Sequence, residues 1–195
     1  MVRVGFVVEG HSEKILVESH AFQEWLESCG INIVSPVVNA SGNGKLHSQH
    51  MAKHVELLKR LSNPDKIVVL ADLDPDQSIR CITERKQFIG SHADLVLVAC
   101  KAIESWFLAD TQAMKRWTGD ANFYKDAPEN TTGTPWECLK EIGNSTKGRG
   151  PGSNKRQFAK MFIGQCNFDV RLAANHQNCH SARYFVDKLK MLRNA

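Results

Sequence analysis

No run in this sequence approaches the roughly 18 consecutive apolar residues that a membrane-crossing helix requires, and no such helix is expected. The opening residues, MVRVGFVVEG, lack the basic start, apolar stretch and small-residue cleavage site of a secretory signal. A cytoplasmic location is therefore expected, and there the six cysteines remain reduced thiols. Those cysteines include no CxxC and no regular pairing, which argues against a zinc ribbon. The nearest thing to a soft-metal cluster is Cys166, His176, Cys179 and His180, for which separate, non-ligating side chains are the better reading. No internal repeat is present.

Composition is that of an ordinary globular protein: 42% apolar and 24% charged residues in a chain of 195. That length suffices for one compact domain, or a domain with an appendage. The net charge of +4 is unevenly spread, with a balance of −3 over residues 1–110 and +7 over 111–195. An acidic front half beside a basic back half suits a polyanion held next to a metal site.

Along the first half, strand and helix patterns alternate. VRVGFVV (2–8) is a short β-branched run that ends at Glu9-Gly10. A helix is expected from Ser12, which can cap, with Ile15, Leu16, Ala21, Phe22, Trp25 and Leu26 at helical spacing and Gly30 as the stop. INIVSPVV (31–38) reads as a second strand, with Pro36 demanding an edge position or a break. After the loop NASGNGK, the spacing predicts a helix over 48–62 with Met51, Val55, Leu58 and Leu61 inward. KIVVLAD (66–72) is the third strand, and a helix around 78–90 follows with Ile79, Ile82 and Phe88 as core candidates. DLVLVAC (94–100) is the fourth strand, and KAIESWFLAD turns helical at once. This order implies an α/β fold, a mainly parallel sheet of four or slightly more strands between helices. Right-handed crossovers place every strand-end loop on one rim, where such sheets bind ligands. Residues 118–135 read as loop, 146–156 as a basic Gly/Pro stretch, and helices are expected near 136–142, 155–164 and 181–192. The chain divides into an α/β core over 1–110 and a loop-rich, mostly helical extension over 111–195 packed on it.

The third strand runs into VVLADLDPD, which sets Asp72, Asp74 and Asp76 at alternate positions. Carboxylates this close repel, and each is costly to desolvate, so a positive partner is required. Glu9 ends the first strand, Lys101 and Glu104 follow the fourth, and a parallel sheet brings all of them to one rim. An oxygen-rich site of that kind suits Mg²⁺ or Mn²⁺. An EF-hand calcium loop is excluded, because Gln77 and Thr83 stand where glycine and glutamate are required. The haloacid-dehalogenase pattern fails too: its Asp-x-Asp follows the first strand, with Thr or Val at the place of Asp76. ASGNGKL is not a Walker A loop, since Asn39 and Leu46 occupy the required glycine and Ser/Thr positions. His47, His50 and His54 recur on one helix face and read as solvated. Trp106, Phe107, Trp117 and Trp136 read as core residues.

A Glu-Gly at the end of strand one and an Asp-x-Asp at the end of strand three resemble the TOPRIM domain. That domain is shared by topoisomerases, primases and overcoming-lysogenization-defect (OLD) nucleases. Glu9-Gly10-His11-Ser12-Glu13 is most similar to the OLD-type first motif, and Lys101 to Asp110 is similar to small stand-alone TOPRIM-like proteins of bacterial defence islands. The resemblance covers residues 1–110 and implies a Rossmann-like TOPRIM core. It implies that Glu9 is a metal ligand or general base, that Asp72 and Asp74 are metal ligands, and that Lys101 steadies a phosphoryl oxygen. Glu13 and Glu104 join as further metal candidates, while Asp110 is more remote. Lys147, Arg149, Lys155 and Arg156 form the densest basic stretch and are expected to contact a nucleic-acid backbone. The implied activity is Mg²⁺- or Mn²⁺-dependent cleavage of DNA or RNA, in phage defence. Two alternatives stay open: a TOPRIM-like subunit working with a separate ATPase, and a metal-dependent phosphatase. Topoisomerase chemistry is disfavoured, because only Tyr124 and Tyr184 are available as nucleophiles, on too small a scaffold.

Overall fold

The structure is a computed structural model and describes residues 1–73, 81–146 and 150–194. Its first part runs β1 (Val2–Val8), α1 (His11–Val17), α2 (His20–Ser28), β2 (Ile31–Ile33), β3 (Val38–Asn39), α3 (Ser48–Ser62), β4 (Lys66–Asp72), α4 (Ile82–Ile89), β5 (Leu95–Ala99) and α5 (Glu104–Ala109). The strands form one parallel sheet in the order β2-β1-β4-β5, with β3 also paired to β1. The α/β class, the parallel sheet and the helical C-terminal region thus follow the sequence reading.

Alternation within the strands assigns each face. Val4, Phe6 and Val8 of β1, with Val68 and Leu70 of β4, face α1, α2, α5 and the C-terminal helices. Val7, Ile67, Val69 and Ala71 face the opposite way, onto Met51, Val55 and Leu58 of α3. Gly5 lies where α3 comes closest: a Cβ there would stand 2.6 Å from Leu58 Cδ2 and 3.0 Å from Pro64 Cγ. Gly5→Val is accordingly expected to destabilise the fold by about 1–3 kcal/mol through overpacking, read as a lowered urea midpoint at unchanged slope.

Three local expectations are corrected. The helix predicted from Ser12 is two helices, and Gly10 rather than Ser12 stands at the N-cap of the first. The break falls at Ser19, whose hydroxyl donates to Leu16 O at 2.7 Å and competes for the carbonyl that would continue the helix. The break expected at Pro36 is present: the second strand is two short pieces, because Pro36 between them offers no N–H to the ladder. Leu61 is 53% exposed: the buried stripe of this helix is Met51, Val55 and Leu58, and Leu61 lies on its flank. Ile82 is exposed as well, since α4 turns Arg85 and Ile89 inward instead. Ile79 lies outside the described residues.

The remainder comprises α6 (Thr111–Thr118), α7 (Pro135–Ser145), α8 (Lys155–Gly164), α9 (Val170–Asn175) and α10 (His180–Met191). The helices α6 and α9 were not anticipated from the sequence. Asp110 starts the first by accepting from Gln112 N and Ala113 N, and Asp169 starts the second by accepting from Arg171 N. Thr134 and Glu137 form a reciprocal cap on α7. Phe107 of α5 packs against Phe158, Phe162 and Phe168, and Trp117 and Trp136 extend that aromatic cluster through Phe158. The core of the sheet therefore continues without interruption into the C-terminal helices. This packing also fixes the start of α8 beside the strand-end rim, where the site lies.

Candidate functional site

Parallel pairing of β1 with β4 sets Val8 opposite Leu70, so that the chain leaves both strands at the same rim. Glu9 N donates to Leu70 O, and Glu9 Oε2 accepts from Asp72 N at 3.0 Å. Two residues 63 positions apart in sequence are thereby joined, backbone N–H to carboxylate. Asp72 Oδ1 in turn accepts from Ile103 N at 2.9 Å, tying the end of β4 to the start of α5. That helix carries Glu104, 2% exposed, in its first turn. Glu13, 3% exposed, sits in the first turn of α1 and folds back over Gly10, so close that a Cβ there would lie 3.0 Å from Glu13 Oε2.

Glu9, Glu13, Asp72 and Glu104 line one cleft of about 660 Å³. His11, Ser12, Ser41 and Gly42 form part of its wall, and Ser153, Asn154, Lys155 and Arg156 at the start of α8 form another. The glycine-rich loop after β3 thus reaches the cleft although it is no Walker A loop. Lys155 Nζ approaches Glu104 Oε1 at 3.6 Å, while Glu104 Oε2 is buried and has no hydrogen-bond partner among the described residues.

Crowding of carboxylates shows in their acidity. Burial pushes Glu13 up from 4.5 to about 7; Glu104 and Glu9 add to the rise, and the N–H groups of Glu13 and Gly10 oppose it. Asp72 is held well above its ordinary value by burial first, then by Glu13, Glu104 and Glu9, with the Ile103 N–H opposing. Each carboxylate would ionise more readily with a further positive charge in the cleft.

One positive partner was not foreseen from the sequence. Arg85, fully buried on α4, donates from Nη2 to Glu9 Oε2 at 2.8 Å and from Nε to Asp72 O at 2.9 Å. Its guanidinium lies 5.3 Å from the centre of the Phe88 ring, and Nη1 is buried without a hydrogen-bond partner among the described residues. Arg85 is in no motif; its only signal is the helical spacing from Arg85 to the buried Ile89, which a charged residue conceals.

The other expected residues fall as follows. Asp74, Asp76, Lys147 and Arg149 lie outside the described residues. Lys101 is not brought into the cleft: held at φ 61°, it donates its ammonium to Thr131 O and, at 3.0 Å, to Gly133 O. Asp110 caps α6 and also accepts from Asp169 N at 2.9 Å, a joint between helices remote from the rim. His47 caps α3 through Nδ1 and packs on Phe88, which removes it from the row His50 and His54 continue. In the tail, Cys179 Sγ points to Glu129 Oε1, Cys166 Sγ faces Met161 Sδ at 3.7 Å, and His176 stacks on Tyr124. Among the described residues, no three His, Cys, Asp or Glu side chains are close enough as placed to form a finished ion cage. What the cleft offers instead is a set of carboxylate oxygens, one of them orphaned, which fits the hard-cation chemistry of Mg²⁺ or Mn²⁺.

A parallel α/β sheet with acidic strand ends at its rim and a basic helix start across the cleft defines the class. The profile of the family described as "Domain of unknown function (DUF4276)" matches residues 8–190, and the chain belongs to that family. The C-terminal region of the Xanthomonas campestris pv. campestris OLD protein is a similar solved structure, at 15% identity and a TM-score of 0.38. That likeness covers 99% of this chain and 98% of the other. No curated protein matches the chain. Among the described residues, no helix is long and apolar enough to cross a membrane.

Proposed function

We propose that the cleft is the active site of a divalent-cation-dependent nuclease of the TOPRIM kind, cutting DNA or RNA phosphodiesters in defence against phage. The observation that carries this reading is the meeting of Glu9, Glu13, Asp72 and Glu104 on one surface of a cleft walled by Lys155 and Arg156. Carboxylates alone repel a phosphodiester, and basic side chains alone bind it without cutting. Together they suit a cation and the polyanion it acts on.

The oxygens of Glu13, Asp72 and Glu104, with Glu9 beside them, would hold Mg²⁺ or Mn²⁺. When bound, such an ion supplies Lewis acidity toward a phosphoryl oxygen and makes its water a stronger nucleophile at neutral pH. The chain's own residues do the rest. Arg156 and Lys155 at the start of α8 attract and align the phosphate backbone, and the Asn154 side chain, which accepts from Gln157 N at 3.1 Å, fixes that helix start. The Asp72 N–H and Arg85 hold the Glu9 carboxylate in one orientation.

The test uses plasmid, single-stranded DNA and total RNA, each with Mg²⁺, Mn²⁺ or chelator. Cleavage is expected only with a divalent ion, and Asp72→Asn and Glu104→Gln are expected to abolish it while circular dichroism stays unchanged. Arg156→Glu is expected to weaken nucleic-acid binding and flatten its salt dependence. Hydrolysis of a generic phosphate monoester with nucleic acids untouched would replace the nuclease by a phosphatase. An intact, ion-loaded protein inert toward every substrate would leave the subunit of an ATPase-driven partner as the better reading.

A further inference from the structure

We infer that a second groove, beside the cleft and along α8, holds an unpaired strand of nucleic acid leading away from the phosphate seated in the cleft. This rests on the reading of the cleft as a nuclease site. The groove has a volume of about 640 Å³ and lies where α8 packs against α1, with the start of α2 beside them. Ile15 of α1 and Ala21 of α2 line it, together with Arg156, Lys160, Ile163 and Gly164 of α8. Arg156 also walls the acidic cleft, so the two recesses meet at its side chain.

Charge and shape together name the occupant. Arg156 and Lys160 stand one helical turn apart on the same face of α8, and both are exposed. Neither forms an ion pair among the described residues. Two uncompensated cations so spaced suit successive phosphates of one strand. The acidic residue in the groove, Glu18, is met by the Lys14 ammonium at 3.5 Å and so does not cancel them. Beside these charges the lining is aliphatic: Ile15, Ala21, Ile163 and the bare backbone of Gly164. A duplex turns its bases inward and offers such a floor only sugar and phosphate. An unpaired strand has base faces to lay against it. From Arg156 to Gly164, α8 advances about 12 Å at about 1.5 Å per residue, the reach of a few nucleotides.

Binding in chelator, where nothing is cut, tests this by fluorescence anisotropy. The probes are labelled oligothymidylate and oligouridylate of about 4 and about 12 residues, with a dA·dT duplex of the longer length beside them. Of these, at least one longer single strand is expected to bind roughly ten-fold more tightly than its short counterpart, and more tightly than the duplex. Lys160→Gln is expected to lower the salt slope of that longer strand by about 0.7, the share of one phosphate contact. Gly164→Glu sets a carboxylate where a Cβ meets no atom within 4 Å, and is expected to remove most of the gain with length. Lys53→Gln makes the same charge change on α3, across the sheet, and is expected to leave slope and gain intact. Equal losses in Lys53→Gln and Lys160→Gln would overturn the inference, since charge alone would then explain the binding. So would affinity indifferent to length, or a duplex bound as tightly as the longer strand. Metal-dependent cleavage alongside any of those results would leave the nuclease reading standing. No binding of any probe would overturn both. Lys160-dependent binding of the longer strand, with no cleavage under any divalent ion, would drop the nuclease and keep the groove as a strand track.

Discussion

Arg85→Met is expected to cost about 3–5 kcal/mol of folding stability in chelator, the range for breaking one side of a buried ion pair. The change removes both guanidinium hydrogen bonds and takes the Arg85 charge away from the Glu9 carboxylate, 8% exposed and close to other carboxylates. The methionine fills much of the same volume beside Phe88, so lost packing is the smaller part of the effect. Glu9→Gln combined with Arg85→Met is expected to recover most of the loss, because the amide oxygen still accepts the Asp72 N–H and no bare charge remains. Urea unfolding of the four proteins closes the cycle. Losses that simply add, with no coupling between positions, would show that the pair contributes nothing as a pair.

Stability of the ion-free protein is expected to fall as pH rises from about 4.5 to 7, through Glu13. The sign follows from proton counting. Glu13 keeps its proton to about 7 in the folded state and only to about 4.5 in the ordinary state, so the folded chain binds more protons across that window. Stability that is fully present below 4.5 is therefore lost as pH climbs through 7. At roughly 1.4 kcal/mol per pK unit, the shift corresponds to about 3 kcal/mol. Glu13→Gln, neutral at every pH, is expected to reduce the slope, leaving the part that the raised Asp72 contributes, and to be the more stable protein at pH 8. Added Mg²⁺ is expected to offset the loss at high pH by taking up the negative charge. Melting temperatures across pH 4.5 to 8, with chelator and with Mg²⁺, measure all three effects; a wild-type curve that rises through this window would contradict the buried, crowded Glu13.

The sheet was legible because its signals are local. The β-branched runs 2–8 and 66–72 coincide with β1 and β4 to the residue, and α3 and α8 match the ranges read from spacing and caps. Where local signals competed, the reading went wrong. Ser19 breaks one helix into two with a side-chain hydrogen bond that periodicity does not register. The helices α6 and α9 have only 8 and 6 residues, too short to show a period, and are set by the Asp110 and Asp169 caps and by aromatic packing.

The site divides in the same way. Residue types and strand-end placement marked Glu9, Asp72 and Glu104, since a parallel sheet must bring successive strand ends to one rim, and the resemblance of the first motif added Glu13. The sequence by itself also determined that acidic groups there need positive compensation. Tertiary structure alone decided which group supplies it, because burial and the Glu9–Arg85 contact join positions 76 residues apart across a helix whose pattern hides a charge. It decided equally that Lys155 and Arg156 wall the cleft and that Lys101 turns to the 131–133 loop. Direction of a side chain depends on what packs around it, and no spacing along the chain carries that.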